Sequence, residues 1–84
     1  MNKTYVAFTV DEYNSDSKKF DNLEEAREWI KKWKKDNQKA VDYFEIEEGL
    51  EIEYTIMATD DPDGWTFDYQ VIETEKVIAK RTER

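Results

Sequence analysis

The chain opens with strict alternation. Val6, Phe8 and Val10 fall on one side of an extended backbone and Tyr5, Ala7 and Thr9 on the other, the period of two that predicts a β-strand over 4–10. Residues 11–17 are rich in turn formers and read as a polar loop. The period then lengthens. Leu23, Ala26, Ile30 and Trp33 recur at helical spacing with Trp29 beside them, which predicts a helix over 22–36. Asp21 or Asn22 can cap it, and Glu24 or Glu25 three residues on completes a capping box. Glu24, Glu25 and Glu28 lie early and Lys31, Lys32, Lys34 and Lys35 late, as the helix dipole favours. The pattern fades at Asp36, Asn37 and Gln38.

Alternation then resumes. Phe44, Ile46, Leu50, Ile52, Tyr54, Ile56 and Ala58 are apolar at even positions, interrupted by Glu48 and Gly49. A two-residue turn would set Ile46 against Glu51. A three-residue loop at 47–49, with Gly49 in the left-handed position, instead pairs Ile46 with Leu50 and Phe44 with Ile52, so parity selects it. Residues 59–64 carry turn chemistry, and Trp65, Phe67, Tyr69 and Val71 follow at odd positions. A loop of four or six residues would pair Ala58 with Trp65, Ile56 with Phe67, Tyr54 with Tyr69 and Ile52 with Val71. Strands are therefore expected over 43–47, 50–59 and 65–72. Beyond Ile72 the parity breaks at Glu73 and Glu75, which either a bulge near Thr74 or a strand running past the core edge would produce. Residues 80–84 read as a frayed tail. The expected fold class is α+β: one single domain over 1–84, with one helix packed on a small, mainly antiparallel sheet in the order β-α-β-β-β. The place of the first strand in the sheet stays open.

Composition narrows the function. Mean hydropathy is −1.02, a value that leans towards disorder. Against it stand 3 Trp, 5 Tyr and 4 Phe with a single Pro, and each buried ring removes about 150–250 Å² from water. The chain is expected to fold. It contains no Cys and no His, which excludes disulfides, thiolate zinc sites and the commonest general base and metal ligand. No apolar run approaches the roughly 20 residues of a membrane span, so a cytoplasmic protein without membrane contact is expected.

Charge gives the strongest signal. With 13 Lys and Arg against 21 Asp and Glu the net charge is −8, which argues against direct binding of nucleic acid. The acids are also segregated. Residues 40–75 contain 12 Asp and Glu and no Lys or Arg. If Phe44, Ile46, Leu50 and Ile52 face the helix, Glu45, Glu47, Glu51, Glu53 and Asp68 face outward together, with Glu45 opposite Glu51. Like charges so placed destabilise a sheet. A solvated face selected for solubility is the plain explanation; the functional one is a docking surface for a basic protein, with Asp60, Asp61 and Asp63 at its rim. Calcium fits the 59–64 turn poorly, since Gln70 stands where an EF-hand needs its twelfth-position Glu. A catalytic carboxylate pair needs a pocket that splits two pKa values, which an open acidic face does not offer. No enzyme activity, cofactor or metal is expected. Trp29 and Trp33 read as core, with one ring edge free to serve as an anchor.

In one-domain size, acidic strands and lack of catalytic residues, the chain resembles small acidic inhibitors of phages and mobile elements, the anti-CRISPR and anti-restriction DNA mimics. It is similar in size and charge to bacterial immunity proteins that block nucleases. The resemblance implies an acidic inhibitor occupying the nucleic-acid-binding groove of a nuclease or CRISPR effector. It carries no motif, so no residue role transfers with it. The other reading is a small adaptor domain, acidic for solubility alone, that meets its partners through the Trp29 side or the edge strands.

Overall fold

The structure is a computed structural model and describes residues 3–60 and 68–82. Five elements follow in order: β1 (Thr4–Asp11), β2 (Ser15–Phe20), α1 (Leu23–Tyr43), β3 (Leu50–Thr59) and β4 (Gln70–Ala79). All strand pairs are antiparallel, and the sheet order is β2-β1-β3-β4. The fold is α+β, with one helix on a four-stranded antiparallel sheet. Two strands precede the helix and two follow it, so the element order is β-β-α-β-β.

The additional early strand is β2, in the segment expected to be a loop and the residues after it. Asp11 closes the tight turn before it: its Oδ1 accepts from the backbone N–H of Tyr13 at 2.7 Å and of Asn14 at 2.9 Å. β2 lies at the sheet edge, and only Phe20 within it is even partly buried. A strand with so little to bury shows no apolar alternation.

The helix starts as expected. Asn22 is the N-cap, and its side chain accepts from the N–H of Glu25 at 2.8 Å. Its end differs, because α1 runs on to Tyr43. Asn37 is polar yet sits on the buried stripe, where its Nδ2 donates to the Tyr54 hydroxyl at 2.7 Å. That bond removes the cost of burying the amide, so the stripe continues through Asn37 to Val41.

No strand forms over 43–47. Phe44 is the helix C-cap, and Glu45 adopts φ 52°. The N–H of Ile46 reaches back to the Val41 carbonyl at 3.1 Å, the six-to-one bond of a Schellman motif. Ile46 packs against the core from that position; its apolarity belongs to a helix stop. Gly49 does have the expected left-handed φ of 81°, but in a helix-to-strand connection, where a Cβ would meet the Ala79 carbonyl oxygen and Ile78 at 3.0 Å.

The core lies between α1 and one face of the sheet. Ala26, Ile30 and Val41 of the helix meet Ala7, Leu50, Ile52, Tyr54, Ile56 and Ala79, so the even-position face of β3 is the buried one, as parity required. The β3–β4 register differs from expectation. Ile56 pairs with Glu73 rather than Phe67, Tyr54 with Glu75 rather than Tyr69, Ile52 with Val77 rather than Val71, and Ala58 with Gln70 rather than Trp65. Trp65 and Phe67 themselves lie outside the described residues. The register shifts between Ile56 and Met57, which leaves Ile72 as an extra residue in β4 and turns Glu73 and Glu75 to the helix side. There Arg27 pairs with Glu73, and Lys34 with Glu75 at 2.6 Å. The broken parity is thus a bulge opposite two helix cations.

After β4 the chain folds back along the end of α1. Asp42 Oδ1 accepts from the Thr82 N–H at 2.7 Å, Gln38 donates to the Lys80 carbonyl at 2.6 Å, and Arg81 reaches Glu47 at 2.7 Å. The Thr82 N–H, followed by contacts with the Thr82 hydroxyl, Gln38 and Arg81, holds the Asp42 carboxyl below its ordinary pKa.

Candidate functional site

In an antiparallel ladder, residues opposite one another share a face. The far side of the sheet from α1 therefore carries Thr4, Val6, Phe8 and Val10 of β1 beside Thr59, Met57, Thr55 and Glu53 of β3. β4 adds Val71 opposite Met57, Thr74 opposite Thr55, Lys76 opposite Glu53 and Ile78 opposite Glu51. The Thr55 and Thr74 hydroxyls are hydrogen-bonded across the strands at 3.0 Å. β2 adds Lys19 opposite Val6, Ser17 opposite Phe8 and Ser15 opposite Val10. This face has an apolar and threonine centre, with Glu51, Glu53 and Lys76 towards one end and Lys19 on the β2 edge.

That end is a shallow groove. Val10, Asp11 and Glu12 from the end of β1, Glu48 and Gly49 from the α1–β3 connection, Glu51 and Glu53 of β3, and Lys76 and Ile78 of β4 line it. Five acidic residues thus line it with a single lysine, although Asp11 lies opposite Ile52 and its Oδ1 is held by the Tyr13 and Asn14 N–H groups. The acids stand together because β1 and β3 are antiparallel neighbours, so the last residues of one lie beside the first of the other. The field reaches Tyr13: a hydrogen bond with Glu12, then the charges of Glu12, Glu48 and Asp11, hold its phenol above the ordinary value.

The structure places the expected site residues unequally. Glu51 and Glu53 share the far face and the groove. Glu45 does not oppose Glu51; it stands exposed at the helix stop because no hairpin exists there, and Ile78 is the β4 partner of Glu51. Glu47 is engaged by Arg81. Asp60 follows β3 and Asp68 precedes β4, both exposed, and neither lines the groove. Asp61 and Asp63 lie outside the described residues. Asp11, Glu12 and Glu48 were missed. The signal for them was the acid pair that directly follows the first strand, which becomes informative only once β1 is paired with β3.

Trp29 packs partly buried against the core, 6.3 Å from Phe20 and 5.8 Å from Trp33 between ring centroids. Among the described residues no group of His, Cys, Asp or Glu has an arrangement fit to hold a metal ion, and no helix is long and apolar enough to cross a membrane. No family model, curated protein or solved structure matches the chain.

Proposed function

We propose that this protein is an acidic binding protein, not an enzyme, that occupies the basic nucleic-acid-binding surface of a partner protein such as a nuclease or CRISPR effector. The observation that carries the reading is the convergence of Asp11, Glu12, Glu48, Glu51 and Glu53 around one groove with Lys76 as its single cation. Strand carboxylates two residues apart stand about 6.6 Å from one another, and neighbouring strands about 4.8 Å away. Such a grid has a charge density comparable to that of a nucleic-acid backbone. The carboxylates of β4, Glu73 and Glu75, are by contrast already paired with Arg27 and Lys34.

The test is competition. Binding to a panel of basic nucleases and CRISPR effectors is measured with and without duplex DNA, for the wild type and for a triple variant with Glu48→Lys, Glu51→Lys and Glu53→Lys. DNA should displace the protein, and association should slow as salt rises from about 50 to 200 mM. The triple reversal should weaken binding by several kcal/mol, given couplings of roughly 1.5–7 kcal/mol for close interfacial charge pairs. If DNA fails to compete for any target bound, or the reversal binds as well as the wild type, the acidity serves solubility only. The adaptor reading would then stand, supported by the β4 edge, where Val71 and Ile78 remain 59% and 58% exposed.

A further inference from the structure

We infer that the far face of the sheet is the seat of a basic amphipathic helix of the partner, its apolar stripe on Val6, Phe8, Met57 and Val71 and its cations at the Glu51 and Glu53 end. This deepens the acidic-binder reading and rests on it. Among the described residues the one helix, α1, lies on the opposite face; on this one Val71 and Ile78 stand more than half exposed, and Val6, Phe8 and Met57 are half-buried.

The dimensions suit a helix. β3 has 10 residues and spans about 33 Å; α1, which covers the other face, has 21 residues and spans about 31 Å. The outer strand axes are about 14 Å apart, room for a single helix about 10–12 Å across. Charge selects the occupant. On the covered side the carboxylates of β4, Glu73 and Glu75, are met by helix cations, Arg27 and Lys34. On the far side Glu51 and Glu53 meet only Lys76 from the sheet itself, so an incoming helix with cations at that end repeats the arrangement α1 already makes. A second copy of this chain would bring a further net charge of −8 and a second acidic end, which opposes face-to-face pairing.

The probe is a synthetic 21-residue helix with a leucine stripe and arginines confined to its last two turns. Its comparator is a scrambled peptide of the same composition. Fluorescence anisotropy should show the striped peptide binding about tenfold or more tighter than the scrambled one. Val6→Ser with Val71→Ser should remove that preference and leave scrambled-peptide binding unchanged, since neither lines the acidic groove, while Glu51→Gln with Glu53→Gln should weaken both peptides. Amide shifts on binding should concentrate in Val6, Phe8, Met57 and Val71. Equal binding of the two peptides, or shifts confined to the α1 side, overturns this inference and leaves the acidic-binder reading intact. If neither peptide binds, both fail. Concentration-dependent dimerisation abolished by the serine pair would show that a second copy occupies the face, and would overturn the helix.

Discussion

The two faces of this sheet answer the same physical problem differently. On the α1 side apolar side chains are enclosed, and most polar groups that enter are met, the Thr9 hydroxyl excepted. Asn37 meets Tyr54, and Arg27 and Lys34 meet Glu73 and Glu75. On the other side apolar side chains and carboxylates stand beside one another without such partners from a second layer. Groups on the first face hold the fold; under the proposed function, those on the second would be worth most when a partner arrives.

The sharpest way to break that comparison is truncation on each face. Ile56→Ala, at a side chain 2% exposed, should cost about 2–5 kcal/mol in urea unfolding. Val71→Ala on the far face should stay within about 0.5 kcal/mol. Comparable losses at both would mean that the far face is itself core.

Tyr54→Phe comes next. It leaves the buried Asn37 amide without its acceptor and should cost about 1–3 kcal/mol. Burial, opposed by the Asn37 bond and Lys34, raises the Tyr54 phenol above its ordinary value. A folded-state pKa above the unfolded one means the native state holds the proton longer. The Tyr54 contribution is therefore intact below pH about 10 and lost as pH rises through the folded value. Alkaline unfolding should shift towards higher pH in Tyr54→Phe relative to its own stability at neutral pH; an unchanged profile would show that another group controls it.

A smaller effect sharpens the covered side. The Thr9 hydroxyl is buried there with no partner among the described residues, so Thr9→Val should raise stability by about 1 kcal/mol in thermal unfolding. Destabilisation would reveal a bond the hydroxyl makes. Smallest is Glu45→Gly, which relieves a left-handed residue at the helix stop and should add about 0.4–1 kcal/mol. It should leave affinity for basic targets unchanged, since Glu45 lies outside the groove; a loss of affinity would restore Glu45 to the binding surface.

What could be read from the sequence follows the same division. β1, the Asn22 cap, the helical stripe from Leu23 to Trp33 and the buried parity of β3 were legible, because each buries a periodic apolar set. β2 was not, since an edge strand with one partly buried residue has no period to show. Phe44 and Ile46 imitated a strand because a Schellman stop also spaces an apolar residue by two. The β4 register was hidden by Glu73 and Glu75, polar residues whose place is fixed by Arg27 and Lys34, more than forty positions away. The site was half legible for a related reason: Glu51 and Glu53 declare their face by parity, whereas Asp11, Glu12 and Glu48 reach it only through the β1–β3 pairing.

That central pairing is also the long-range one. The β1–β2 hairpin is local, and β3 and β4 are joined within one stretch of chain, but the ladder between β1 and β3 joins Thr4 to Thr59 across the whole helix. Closing so long a loop costs entropy before its contacts can repay it, which slows folding. Until it closes, each half presents an unpaired inner strand, and α1 has only part of its sheet to rest on. The acidic groove is built from both sides of that seam, so a fragment that holds only one side carries its charges without the surface.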